Sequence, residues 1–131
     1  MKRLLLAALF ALPFQGRSQA IQSPSFNDMI AKTWKLEYYG DNGTKMPPSP
    51  EQKQDRMIFY KDYRVVSIEM GKTQQATWKY DTATKRLTVI DNQSKGKTDL
   101  QVLKLDQQRC VLSYKDPAGS ELEIHMLAVE K

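Results

Sequence analysis

A run of alternating side chains that begins at Thr33 constrains the fold more than any other stretch of the sequence. Trp34, Leu36 and Tyr38 are large and apolar, and a lysine and a glutamate stand between them. Because successive side chains of a β-strand point to opposite faces, this period of two predicts a strand with one buried face. We interpret it as the first strand of a small barrel, with Trp34 filling one end.

Short apolar stretches continue from residue 55 onward and alternate with turn residues, which predicts successive antiparallel hairpins. The predicted turns occupy residues 61–62, 71–73 and 82–85. With these turns, one apolar face continues through four strands and includes Phe59 and Met70. The corresponding cross-strand pairs are Met57 with Val66, Phe59 with Arg64, Ile68 with Ala76, Val66 with Trp78, Trp78 with Val89 and Tyr80 with Leu87.

The last three strands follow a polar loop at residues 92–97. This loop is predicted to bring Leu100 opposite Val89 and Val102 opposite Leu87. A β-bulge near Val102 would return Leu103 and Leu105 to the core. The final hairpin turns at residues 116–120, where a proline and a glycine suit a tight loop. The pairs predicted there are Tyr114 with Leu122, Leu112 with Ile124 and Cys110 with Met126.

These elements predict an all-β fold, an eight-stranded antiparallel up-and-down barrel. A two-sheet sandwich is the alternative, because the hairpin pattern alone does not show closure. A short helix over Phe26–Lys32, capped by Ser25, is predicted to precede the first strand. The segment Gly40–Gln54 contains three prolines and lacks periodicity, so it is either a lid over the barrel or a plain connector.

The first twenty residues have the composition of a secretory signal peptide, with Lys2 and Arg3 followed by the apolar run Leu4–Phe14. Cleavage is predicted after Ala20, and an uncleaved anchor is the alternative. Residues 1–20 are therefore the predicted signal peptide and residues 21–131 the barrel domain. The predicted location is the periplasm or the extracellular space, without stable insertion in a membrane, because the apolar run is too short to span a bilayer.

Charge and reactive side chains argue against several classes of function. Removal of the signal peptide lowers the net charge from +5 to +2, which is too weak to indicate binding to nucleic acid. Cys110 and His125 are the only cysteine and the only histidine. Their predicted positions on opposite faces of the wall favour neither a catalytic pair nor a metal site. We therefore expect a protein that is not an enzyme and has no cofactor.

Several stretches together resemble the bacterial exported lipocalin-like domains. A tryptophan begins the first strand, a long loop follows, and then come Met57–Tyr60, Ala76–Asp81 and Leu100–Leu105. The resemblance covers nearly all of residues 21–131. It implies an up-and-down barrel with a cup for small apolar ligands and with the long loop at the open end.

A small hydrophobic or amphipathic ligand inside the barrel is therefore the predicted function. The expected ligand-binding residues all have the predicted inward parity: Trp34, Tyr38, Phe59, Met70, Trp78 and Tyr80. Tyr39 would then face outward, and the same six residues would form an ordinary core if the barrel were filled. In that alternative the protein is an interaction module, an inhibitor or an assembly subunit, that binds an exported partner. A closed barrel predicts a monomer, because it has no free edge strand.

Overall fold

Nine strands form one antiparallel sheet in the computed structural model, which describes residues 25–129. Within the described residues, one α-helix, α1, spans Phe26–Ile30 and precedes the strands. The strands are β1 (Thr33–Asp41), β2 (Thr44–Met46), β3 (Arg56–Phe59), β4 (Arg64–Glu69), β5 (Lys72–Asp81), β6 (Arg86–Asp91), β7 (Lys97–Leu105), β8 (Arg109–Lys115) and β9 (Glu121–Ala128).

Strand β1 closes the sheet into a barrel because it pairs along both edges. On one edge it pairs with β9, from Trp34 opposite Ala128 to Asp41 opposite Leu122. On the other edge its first three residues pair with β3 and its last three residues pair with β2. The strand β2 is a short extension, so eight strands form the barrel. The predicted eight-stranded barrel is confirmed, and the closure excludes the two-sheet sandwich.

The helix α1 covers one end of the barrel, which we call the closed end. Ser25 caps it as predicted, since its hydroxyl accepts a hydrogen bond from the Asp28 amide at 3.1 Å. The helix ends at Ile30, two residues earlier than expected. Ile30 is fully buried, and its carbonyl accepts a hydrogen bond from Trp34 Nε1 at 2.9 Å. The helix and the start of β1 therefore pack as one unit.

The predicted register is wrong at β4, where every side chain lies on the face opposite to the expected one. The Tyr60 amide donates a hydrogen bond to the Arg64 carbonyl at 2.9 Å, so the turn before β4 has three residues, 61–63, rather than two. Phe59 therefore pairs with Val65 and Met57 with Ser67. A shift of one residue exchanges the two faces of a strand. Val65 is therefore buried, whereas Val66 and Ile68 face outward. The neighbouring hairpin is confirmed, with Trp78 opposite Val89 and Tyr80 opposite Leu87.

In the pairings of β6 to β9, an error in the predicted register changes which side chains face inward only when the shift is an odd number of residues. Leu100 pairs with Leu87 rather than with Val89, but a shift of two residues keeps it inside. The predicted bulge in β7 is present between Val102 and Lys104. It returns Leu105 to the core, whereas Leu103 is 49% exposed, so that part of the prediction is wrong. All three pairs predicted for the β8–β9 hairpin are confirmed.

The segment Gly40–Gln54 contains more regular structure than the sequence analysis expected. Asn42 and Gly43 both have positive φ and form a two-residue hairpin turn between β1 and β2. A short 3₁₀-helix spans Gln52–Gln54. The segment lies at the end of the barrel opposite to α1, which we call the open end.

The predicted signal peptide and its cleavage site lie outside the described residues. Within residues 25–129, no helix has the length and apolar character needed to cross a bilayer.

Candidate functional site

A cavity of about 330 Å³ occupies the barrel between its middle and the open end. Its floor is apolar and consists of side chains that are almost completely removed from solvent. They come from five different strands, so closure of the barrel is what brings them together. These floor residues are Trp34, Val65, Leu100, Leu112 and Met126.

The mouth of the cavity is polar and open to solvent. It is formed by residues at the open ends of the strands, where Glu69, Gln74 and Thr98 are exposed. Asp55, Arg56 and Asp91 are half-buried there. The cavity can therefore enclose apolar surface at its floor while polar groups of a ligand remain at the mouth.

An irregularity in β1 decides which tyrosine enters the cavity. Leu36 pairs with Met126 but Tyr38 pairs with His125, so one extra residue is accommodated between them. Such a bulge reverses the alternation of side chains that follow it. Tyr39 therefore lines the cavity. Tyr38 is on the outer wall, stacked on the His125 ring at 4.2 Å, and its predicted inward orientation is wrong.

Met70 is also outside the barrel, contrary to the sequence prediction. It is the first residue of a two-residue turn with Gly71, and its side chain is 59% exposed. Because β4 has the opposite face inward, the residues that reach the mouth are Ser67 and Glu69. The Met70 amide donates a hydrogen bond to Asp55 Oδ1 at 2.9 Å, which fixes the long loop to this turn.

The other predicted aromatic residues face inward but gather at the closed end, beneath the cavity. Phe59 and Trp78 are 2% exposed and meet edge to face at 6.0 Å. Tyr80 stacks on Phe26 of α1 at 3.6 Å. Of the six residues predicted to bind ligand, Trp34 alone lines this cavity. The expectation that Trp78 would face the ligand and Tyr39 would not is therefore reversed by the structure.

Tyr39 is in an acidic environment at the mouth. Burial raises the pKa of its hydroxyl, and the negative charges of Glu69 and Asp55 raise this pKa further. The hydroxyl is therefore protonated at neutral pH and can donate a hydrogen bond to a ligand. The basic side chain that lines the cavity, Arg56, directs Nη1 to the backbone carbonyls of Lys53 and Asp55 at 3.0 and 2.8 Å.

The reactive side chains considered in the sequence analysis are apart, as predicted. Cys110 is fully buried in the core, where burial raises the pKa of its thiol to about 12. His125 is on the outer wall, where Nε2 is 2.9 Å from Glu123 Oε1. In the described part of the chain, no three histidine, cysteine or acidic side chains are close enough together to hold a metal ion.

The sequence analysis did not identify the polar residues of the mouth, because it misplaced the turn between β4 and β5. The dipeptide Asn42-Gly43 is a recognised signal for a two-residue hairpin turn, and Met70-Gly71 shares its glycine in the second position but not its asparagine. The second dipeptide, read as a turn of the same kind, pairs Glu69 with Lys72 and places Ser67 and Glu69 inside. By contrast, the sequence offers no comparable signal for the bulge that turns Tyr39 inward.

No family model matches this chain, and no curated protein matches it. Among solved structures, the chain is similar to bovine odorant binding protein in a complex with a selenium-containing odorant. The TM-score is 0.51 with 12% sequence identity, over 87% of this chain and 79% of that one. That protein has a lipocalin barrel, so the likeness supports the lipocalin-like fold. The narrower resemblance to bacterial exported domains stays a prediction.

Proposed function

We propose that this protein binds a small hydrophobic or amphipathic molecule inside its barrel. The observation that carries the proposal is the cavity of about 330 Å³ with its apolar floor. Cavities that hold small molecules usually begin at about 300 Å³. A barrel filled by its own side chains would leave no such space, so the cavity favours ligand binding over the interaction module.

The driving force for binding would be burial of apolar ligand surface against the floor. Each Å² removed from water contributes roughly 25 cal/mol. The Tyr39 hydroxyl and the polar mouth would orient the ligand, because a buried polar group is favourable only when it has a partner. A compact ligand fits this volume better than a long lipid chain does.

Binding rather than catalysis is the activity that we propose. The Cys110 thiol is buried and protonated, so it is a poor nucleophile. The His125 ring is on the other side of the wall and cannot act as its base. The solved structure to which the chain is similar is also named as a binding protein.

Export of the protein is part of the proposal and is supported by the composition of residues 1–20. Mass spectrometry of the protein purified from the cells that make it would measure both properties. A polypeptide that begins at Ile21 would establish cleavage. A retained small molecule that denaturation releases would identify the ligand.

The sharper test fills the cavity by substitution. Ala76 lines the cavity, whereas Thr77 is the next residue on the same strand and is exposed on the outer wall. We expect Ala76→Phe to abolish binding of the neutral fluorescent probe N-phenyl-1-naphthylamine, because the added ring occupies the ligand volume. Thr77→Phe should bind the probe like the wild type. Equal binding by both variants, with circular dichroism showing both folded, would contradict the proposed site.

A further inference from the structure

We propose that the ligand is an amphipathic organic cation, with its apolar body on the cavity floor and its ammonium group between Asp55 and Glu69. This inference rests on the proposed function and adds the charge of the ligand to it. The cavity is the binding site, and the side chains at its mouth determine which head group it accepts.

The charge of the cavity lining is opposite to that of the chain. The whole sequence has a net charge of +5. The lining contains three carboxylates, those of Asp55, Glu69 and Asp91, against the one guanidinium of Arg56. Arg56 keeps its positive charge while its Nη1 contacts the backbone carbonyls of Lys53 and Asp55. Three carboxylates against one guanidinium leave the mouth with an excess of negative charge.

The carboxylates are held in place without being neutralised. Asp55 accepts a hydrogen bond from the Met70 amide at 2.9 Å, and Glu69 accepts one from the Ser67 hydroxyl at 3.3 Å. Asp91 accepts two from backbone amides of its own turn. Within residues 25–129, none of the three is within 4.0 Å of a basic side chain.

Two lysines are neighbours of these carboxylates in the fold, and neither forms an ion pair with them. Lys72 is opposite Glu69 in the β4–β5 pairing and is exposed. Lys95, in the loop after β6, is a minor contributor to the lowered pKa of Asp91, which is set mainly by hydrogen bonds from Ser94. An ammonium group seated in the mouth would therefore be closer to the carboxylates than these lysines are.

Tyr39 lines the cavity together with Asp55 and Glu69, so the charges of these two carboxylates also reach a side chain of the cavity wall. Burial contributes most to the raised pKa of the Tyr39 hydroxyl, and the negative charges of Glu69 and Asp55 raise this pKa further. Charges that face a partly buried site interact more strongly than they would in water. The same field that disfavours a tyrosinate would repel a ligand carboxylate and attract a ligand ammonium.

Three ligands that share one apolar body isolate the effect of the head group: decylamine, 1-decanol and decanoate. At pH 7.5 the first is a cation, the second neutral and the third an anion. Competition with N-phenyl-1-naphthylamine would give their affinities for the wild-type protein. We expect decylamine to bind at least about tenfold more tightly than 1-decanol, and decanoate to bind most weakly. The preference should shrink as salt is added, because part of the mouth is exposed.

The substitution Glu69→Gln removes one charge and keeps the shape of the side chain. We expect it to lower the preference for decylamine over 1-decanol by at least about threefold, because one of the two charges that attract the ammonium group is lost. Asp55→Asn should act in the same direction, since its amide oxygen can still accept from Met70. Glu121→Gln is the matched control, because Glu121 is exposed near the open end and does not line the cavity.

The outcomes separate the two proposals. Tight binding of 1-decanol without a preference for decylamine would overturn the inference on charge and leave the proposed function standing. A preference for decanoate would do the same. Failure of the wild-type protein to bind the probe or any of the three compounds, at concentrations below micelle formation, would overturn both. An equal loss of preference in Glu69→Gln and Glu121→Gln would overturn the assignment of the carboxylates.

Discussion

Trp34 contacts both the helix α1 at the closed end and the ligand cavity. Its side chain is fully buried and its ring forms part of the cavity floor. Its Nε1 group donates a hydrogen bond to the Ile30 carbonyl, and Lys32 Nζ lies 5.6 Å from the ring centroid. The sequence alone predicted that Trp34 faces inward, because a large apolar residue at the start of an alternating strand lies on the buried face.

Cys110 provides a residue-scale prediction about pH. Burial raises the pKa of its thiol from 9.0 to about 12, and the charge of Asp106 adds to this. Between these values the folded protein keeps a proton that the unfolded chain releases, so the free energy of unfolding falls as the pH rises. The loss begins near pH 9 and amounts to about 2 kcal/mol at pH 10.5.

The variant Cys110→Ala isolates this effect, because tyrosines and lysines titrate alike in both proteins. Urea unfolding at pH 8.0 and pH 10.5 should show the wild type losing about 2 kcal/mol more than the variant. An identical loss in the two proteins would mean that the thiol is accessible enough to ionise in the folded state.

At the scale of elements, two hairpin turns at the open end have the same shape but different residues. Asn42-Gly43 and Met70-Gly71 both place two consecutive residues at positive φ. Asparagine tolerates this conformation, whereas a long side chain such as that of Met70 does so at a cost. The Met70 side chain is exposed, so packing against the core does not compensate for this cost.

Replacement of Met70 by asparagine should therefore stabilise the protein by roughly 0.5–1 kcal/mol. The control is Met46→Asn, which makes the same chemical change at an exposed position in β2 without positive φ. Chemical denaturation would compare the two. A gain from Met46→Asn as large as that from Met70→Asn would show that removal of an exposed methionine, and not relief of the turn, is responsible.

The turns also explain how far the sequence could predict the structure. The β8–β9 hairpin was predicted residue by residue, because Pro117 and Gly119 leave one reasonable turn. The inward face of β4 was predicted wrongly because the turns on both sides of the strand were misplaced. The side chains did not correct the error, because Val65 and Val66 are equally suited to the interior. Where two adjacent residues are both apolar, period two does not distinguish the faces and the turn chemistry decides.

The candidate site was less predictable than the fold for a related reason. Part of its floor could be predicted from the sequence, because the predicted register of the β8–β9 hairpin placed Leu112 and Met126 inward. Its mouth depends on the bulge in β1, and a bulge adds one residue without any characteristic side chain. The division of inward aromatic residues between a core and a cavity depends on which end α1 covers.

At the scale of the whole molecule, the two ends of the barrel have separate roles. The closed end holds the aromatic cluster of Phe26, Phe59, Trp78 and Tyr80, and the open end holds the cavity. Substitutions in sites that share no contacts usually act independently. Stability and ligand binding should therefore respond to different substitutions.

Phe26→Ala tests this separation, because Phe26 contacts both Tyr80 and Trp78 from the helix. We expect it to lower the free energy of unfolding by about 2 kcal/mol through lost packing. The affinity for N-phenyl-1-naphthylamine should change by less than about twofold. Met29→Ala on the same helix is the control and should cost less, since Met29 is not packed against the buried core. Strongly weakened probe binding in Phe26→Ala would show that the ends are coupled.

The pairing of β1 with β9 also has a consequence for the folding of a newly made chain. Trp34 pairs with Ala128, so the contacts that close the barrel join residues from opposite ends of the described chain. While the polypeptide is being synthesised, β1 keeps one edge of unpaired amides and carbonyls until β9 emerges. Contacts of such long range slow folding, and open strand edges favour aggregation. Chaperones that shield the unpaired edge of β1 would therefore matter most in the interval before β9 pairs with it.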